Sequence, residues 1–160
     1  MNLLFVCTGN TCRSPLAEVI ARAEAERRDV DVTSRSAGTI AFSGQPAAGP
    51  GREVAARHEL DLDAHVSREL SIELLEWADV VIGMDAGHVD AATRLDASVP
   101  AHLMSDFLPA NHALRGHGVP DPFGGDLDAY LATYVLLSQA MTGLFDAFRD
   151  VVAKGGGPER

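Results

Sequence analysis

MNLLFVCTGNTCRSPLAEVI, residues 1–20, carries a strand, a loop and a helix start in immediate succession. Leu3-Leu4-Phe5-Val6 is a short apolar run, the pattern of a strand buried on both faces. Ser14 followed by Pro15 offers an N-cap and a favoured first helical residue. Leu16, Val19, Ile20 and Ala23 then recur at helical spacing, with Glu18, Arg22, Glu26 and Arg27 mostly off that stripe. Between strand and helix lies CTGNTCRS, residues 7–14, with two cysteines, a glycine, an arginine and no carboxylate.

The same alternation continues outward. Asp31–Ser36 reads as a second strand ending at Ala37-Gly38, and a Gly/Pro-rich stretch, 43–51, leads into a helix over Arg52–His58. Glu69–Trp77 reads as helix and Asp79–Gly83 as a third strand ending at Met84-Asp85. A helix over His88–Leu95 and a weaker strand over Ala101–Met104 follow. Pro109–Pro122 reads as a long loop, a class that is often functional, and Asp126–Val152 as one long terminal helix. The expected fold is α/β, a parallel sheet of about four strands with helices on both faces. It forms one domain over residues 1–153, with 154–160 a frayed tail. In such sheets ligands bind at the carboxyl ends of the strands, and Cys7, Ser36 and Met84-Asp85 all fall there.

The 160 residues are 46% apolar and 22% charged, ordinary for a globular protein, and the formal net charge is −10. That charge argues against nucleic acid or an anionic membrane surface as a partner. No apolar run approaches the roughly 20 residues that span a bilayer, and the N-terminus lacks a signal peptide's basic region. Two cysteines five apart make neither a disulfide scaffold nor a zinc site, and the six histidines show no ligand spacing. The expectation is a monomeric cytoplasmic protein with no metal and no cofactor.

Read as C-x5-R-S, the loop contains the parts of a phosphoryl-transfer site. Backbone N–H groups from Thr8 to Arg13 can curl into a concave nest for an oxyanion, and the following helix adds its positive end. Gly9 permits backbone conformations closed to other residues. Arg13 can grip two phosphate oxygens at once. Those dipoles favour the thiolate of Cys7, the form that attacks, and Ser14 can donate a hydrogen bond to the sulfur. The pattern by itself also fits a buried cysteine at a strand end and a solvated arginine. A thiolate nucleophile needs an acid for its leaving group. Asp121, bracketed by Pro120 and Pro122 ahead of Phe123-Gly124-Gly125, is the candidate; locally it reads equally as a turn aspartate.

Taken together, Cys7 to Pro15 near the N-terminus and Asp121-Pro122-Phe123 over a hundred residues later resemble the low-molecular-weight protein tyrosine phosphatase family. Ser36-Ala37-Gly38-Thr39, His65-Val66-Ser67-Arg68 and Met84-Asp85 fall at the family's places, so the resemblance spans nearly the whole chain. It implies that Cys7 is the nucleophile, Arg13 the phosphate ligand and Asp121 the general acid. It further implies that Asn10, Ser36 and His65 hold the loop's shape, and that the substrates are phosphorylated proteins or peptides. Tyrosine-directed members commonly carry a bulky aliphatic residue where this chain has Thr11. Threonine there, with Asp-Pro-Phe-Gly-Gly, is similar to the bacterial protein-arginine phosphatase branch. A smaller, hydroxylated side chain leaves room and polarity for a guanidinium, on whose plane Phe123 can stack. Where that branch often has an aromatic after Ser-Ala-Gly-x, this chain has Ile40 in the expected pocket wall, with Phe42 two residues on. Arsenate reductases share fold and loop but relay oxidation to cysteines far downstream, and none follows Cys12 here. Cys12 is instead expected to form a reversible disulfide with Cys7, or to sit as a small buried residue behind the loop. A non-catalytic phosphate-binding module would need neither Cys7 nor Asp121.

Overall fold

The computed structural model describes residues 1–153; the tail expected to fray lies outside the described residues. Four parallel strands, β1 (Asn2–Cys7), β2 (Thr33–Gly38), β3 (Val80–Gly83) and β4 (Ala101–Leu103), form one sheet in the order β2-β1-β3-β4. The most apolar strand, β1, is therefore central. Its residues alternate between two cores, as pleating requires. Leu3 and Phe5 pack with Leu16 and Ile20 of α1 (Arg13–Arg28) and Leu137, Met141 and Leu144 of α5 (Leu127–Ala147). Leu4 and Val6 pack with Leu74 and Leu75 of α3 (Ile72–Trp77) and Ala92 of α4 (Ala86–Leu95). A short helix, α2 (Gly49–Arg57), lies against α5. The order reverses beside β1, so the loop after β1 opens at the switch point where such sheets bind ligands.

Several boundaries differ from those the sequence suggests. Helix α1 begins at Arg13, with Cys12 in the capping position and no side-chain cap. Ser14 is thus inside the first turn, where its hydroxyl is spent on Cys7 and Asn10, and Pro15 is the third helical residue. The helix's leading N–H groups remain available to a ligand. Helix α2 starts earlier than expected, at Gly49, and α3 later, after Ser71 accepts from the Leu74 N–H at 3.3 Å. Glu69, expected in α3, instead bridges Gly38 beyond the sheet edge. The long terminal helix is two: α5 ends at Ala147, Phe148 leaves helical geometry, and α6 spans Arg149–Ala153.

Candidate active site

Loop 8–12 is held from outside by its carbonyls. Cys7 O accepts from Thr39 N at 2.9 Å, Thr8 O from Ile40 N at 3.0 Å and Thr11 O from Ala48 N at 2.9 Å. Asn10 O accepts from His65 Nε2 at 2.8 Å. In a planar trans peptide the next residue's N–H points opposite to the carbonyl. The N–H groups of Thr8, Gly9, Thr11 and Cys12 are thereby turned toward the concave side, a nest for an anion.

The left-handed turn of this loop falls on Asn10, at φ 55°, and not on Gly9, where an added Cβ would have room. Asparagine tolerates that region when its side chain bonds locally, and Asn10 does so from complete burial. Its amide donates to Ser14 Oγ and Ser36 Oγ, both at 2.9 Å, and its Oδ1 accepts from Arg68 N at 2.9 Å. Ser36 passes its own proton to Glu18 at 2.6 Å. Ser14 Oγ, already accepting from Asn10, has one proton to give, with Cys7 Sγ at 2.9 Å and Ala37 O at 3.4 Å. The glycine that matters sits outside the loop: a Cβ on Gly38 would collide with the backbone of Thr8 and Asn10.

Arg13 is almost fully buried. Its NH1 donates to Val119 O at 3.0 Å and lies 3.5 Å from Asp85 Oδ2, and its NH2 lies 3.5 Å from Asp121 Oδ2. Its Nε is buried and finds no acceptor among the described residues. Val119 is fixed in turn, its N–H donating to Met84 O at 2.8 Å past the end of β3. This seam carries Asp121 to the mouth, although over a hundred residues separate it from Cys7. Asp121 Oδ1 accepts from Phe123 N at 3.0 Å, which aims the carboxyl and exposes the Phe123 ring. Cys7, Thr8, Gly9, Thr11, Cys12, Arg13, Asp121 and Phe123 line one cavity of about 220 Å3. Ile40, expected in its wall, does not line it; its side chain is 71% exposed.

The chain belongs to the low molecular weight phosphotyrosine protein phosphatase family. That family's model matches residues 2–154. The chain is 37% identical over 134 residues to the protein-arginine-phosphatase of Bacillus subtilis (strain 168), covering 83% of this chain and 87% of that one. It is also 37% identical over 156 residues to a low molecular weight protein-tyrosine-phosphatase of Streptomyces coelicolor, covering 92% and 93%. Among solved structures, a cysteine-to-serine mutant of the YwlE arginine phosphatase with a phosphorylated active-site serine superposes with a TM-score of 0.84. It is 32% identical, with 93% of this chain and 96% of that chain covered. Among the described residues, no helix is long and apolar enough to cross a membrane.

In this member of the family, four residues that sequence reasoning left without a role support the loop: Glu18 behind Ser36, Arg68, His88 and Tyr130. His88 accepts from Asp85 N through Nδ1 at 3.0 Å, so the ring proton sits on Nε2 and is donated to Thr8 Oγ1 at 2.9 Å. Asp85 reciprocates on the His88 N–H at 3.3 Å, a capping box on α4. The only local signal was an aspartate three residues before a histidine at a helix start. Burial lowers the His88 pKa from 6.5; Asp85 opposes the shift and Arg13 adds to it. The unfolded chain thus binds this proton more readily than the folded one. Its contribution to stability is full above about pH 6.5 and is lost as pH falls through the lowered folded value. Denaturant titrations at several pH values should show the stability gap between wild type and His88→Asn narrowing below that point; a constant gap would show that His88 is not held neutral.

Tyr130 OH lies 3.2 Å from Cys12 Sγ on the loop's reverse side. Burial, then the contact with Cys12, push the Tyr130 phenol far above its ordinary range, so it stays neutral. Both cysteines are buried free thiols.

Proposed function

We propose that this chain is a cytoplasmic, cysteine-dependent protein phosphatase whose favoured substrate is phosphoarginine on proteins. The observation that carries the reading is the shared cavity, in which Cys7 Sγ, the Arg13 guanidinium and the Asp121 carboxyl converge on space for one phosphoryl group. The Cys7 thiolate attacks phosphorus in line while the inward amides and Arg13 spread the charge of the equatorial oxygens. The unpartnered Arg13 Nε is a donor suited to this task. Asp121, as the general acid, gives a proton to the leaving atom as its bond to phosphorus breaks, leaving phosphocysteine. It then takes a proton from water, whose oxygen attacks phosphorus, breaking the S–P bond and returning the thiolate.

Thr11 supports the choice of phosphoarginine. Thr11 is one of the residues lining the cavity, and its side chain is shorter than the bulky aliphatic one it replaces. Asp121 and the exposed Phe123 ring offer a guanidinium a charge partner and a stacking face. The near relative acting on phosphotyrosine keeps that alternative open to test. The test compares kcat/KM on phosphoarginine and phosphotyrosine peptides of equal sequence. Wild type should prefer phosphoarginine, and Thr11→Ile should move the ratio toward phosphotyrosine by about 10-fold, the scale of one methylene-sized change in a pocket. A ratio that Thr11→Ile leaves untouched would sink the role of Thr11.

A further inference from the structure

A groove of about 790 Å3, much larger than the catalytic cavity, runs along α5 and shares Asp121 with that cavity as a common wall. One side is a helical stripe from Asp128 through Leu131 and Val135 to Gln139; the other is the proline-rich loop at Leu114 and Pro120. From Asp128 to Gln139 the helix rises about 16 Å, the length of about five extended residues. Leu131 is 37% and Val135 47% exposed, although the groove between them and the loop is mostly apolar. Lone exposed apolar residues need no explanation, but two at i and i+4 flooring a cavity of this size form a patch that marks an interaction surface. No lysine or arginine lines it; its titratable groups are His112, Asp128 and Asp121, the last shared with the catalytic cavity.

We propose that this groove is a docking subsite for the substrate polypeptide, taking residues that flank the phosphorylated side chain. It binds an extended segment of about five residues that lays an apolar side chain over Leu131 and Val135 and a lysine or arginine against Asp128. This rests on the phosphatase reading above. The catalytic cavity, at about 220 Å3, admits one phosphorylated side chain, so the rest of the substrate crosses its rim. Asp121 belongs to both linings, so a chain that crosses the rim of the cavity at Asp121 enters the groove. Charge selects the occupant: Asp121 already faces Arg13, but Asp128 does not, and with no lysine or arginine in the lining of a protein of net charge −10 it favours a cationic, apolar segment over an acidic one.

The experiment measures kcat/KM on p-nitrophenyl phosphate and on phosphopeptides with five flanking residues, either all apolar or apolar with one lysine (the basic flank), on one side, on the other side, or on neither. Phosphoarginine and phosphotyrosine versions are both used, so substrate preference does not confound the result. Wild type should favour one flanked peptide about 10-fold over the unflanked one. The double variant Leu131→Ser/Val135→Ser should erase that advantage, mostly through KM, with p-nitrophenyl phosphate, too short to reach α5, as the reference. Asp128→Lys should reduce the advantage only for the basic flank. A flanked-to-unflanked ratio that the double variant leaves as in wild type overturns the proposal. So does a wild-type dimer in sedimentation that the double variant splits, because a second copy then covers the groove. Failure of wild type on p-nitrophenyl phosphate would overturn the phosphatase reading itself, a different result from a failure confined to peptide ratios.

Discussion

Cys7→Ser is expected to lower kcat/KM on p-nitrophenyl phosphate roughly 10^4- to 10^6-fold, the scale on which removing a covalent nucleophile acts, while inorganic phosphate still binds. Serine supplies the same connectivity, but a hydroxyl is a far weaker nucleophile at neutral pH than a cysteine sulfur. Binding should survive because the sulfur contacts Ser14 Oγ, whereas the loop carbonyls, Asn10 and Arg13 are anchored by other groups. Steady-state kinetics with phosphate calorimetry separate the two effects. Retained activity in Cys7→Ser would remove Cys7 from the mechanism, and lost phosphate affinity would show that the sulfur shapes the nest. The wild-type rate should withstand chelators if, as proposed, Arg13 and the backbone amides neutralise the phosphate charge. In the related YwlE mutant the active-site serine is found phosphorylated. A slow build-up of phosphoserine on Cys7→Ser, read by mass, would place the attack on this atom.

What could be read from the sequence follows how far apart the interacting residues lie. The strand run Leu3–Val6, the C-x5-R-S loop and the helical stripe behind it are local, so the fold and the pair Cys7 and Arg13 were legible. Boundaries failed where a side chain had a better partner than its own helix. Ser14 reads as a cap, yet its hydroxyl serves Cys7 and Asn10. Gly9 reads as the residue freest to turn, yet Asn10 adopts the left-handed conformation, its side-chain amide and carbonyl held by Ser14, Ser36 and Arg68. His88 to Thr8 spans 80 residues and Tyr130 to Cys12 spans 118, and no local pattern reports such contacts. Asp121 needed family resemblance for the same reason. The Met84–Val119 seam that delivers it is a backbone contact, which side-chain patterns do not encode.

Asp121→Asn should separate substrates by how much their leaving group needs a proton. On a phosphoarginine peptide, kcat/KM should fall roughly 10²- to 10⁴-fold, the usual worth of a positioned general acid. Without that proton the guanidine nitrogen would leave as a strongly basic anion. Nitrophenolate is a stable anion and leaves unaided, so kcat/KM on p-nitrophenyl phosphate should change far less. The choice of constant matters. kcat/KM reports events up to formation of phosphocysteine, whereas kcat also contains its hydrolysis, for which Asp121 is the proposed base. The variant should therefore lose kcat on p-nitrophenyl phosphate while releasing a burst of nitrophenolate equal to the enzyme. Asparagine suits the test because its carbonyl can keep the hydrogen bond from Phe123 N that aims the side chain. What it gives up is the proton and the charge facing Arg13 at 3.5 Å. Equal losses on the two substrates, with no burst, would mean that Asp121 only orients Arg13 and that the leaving group takes its proton from elsewhere.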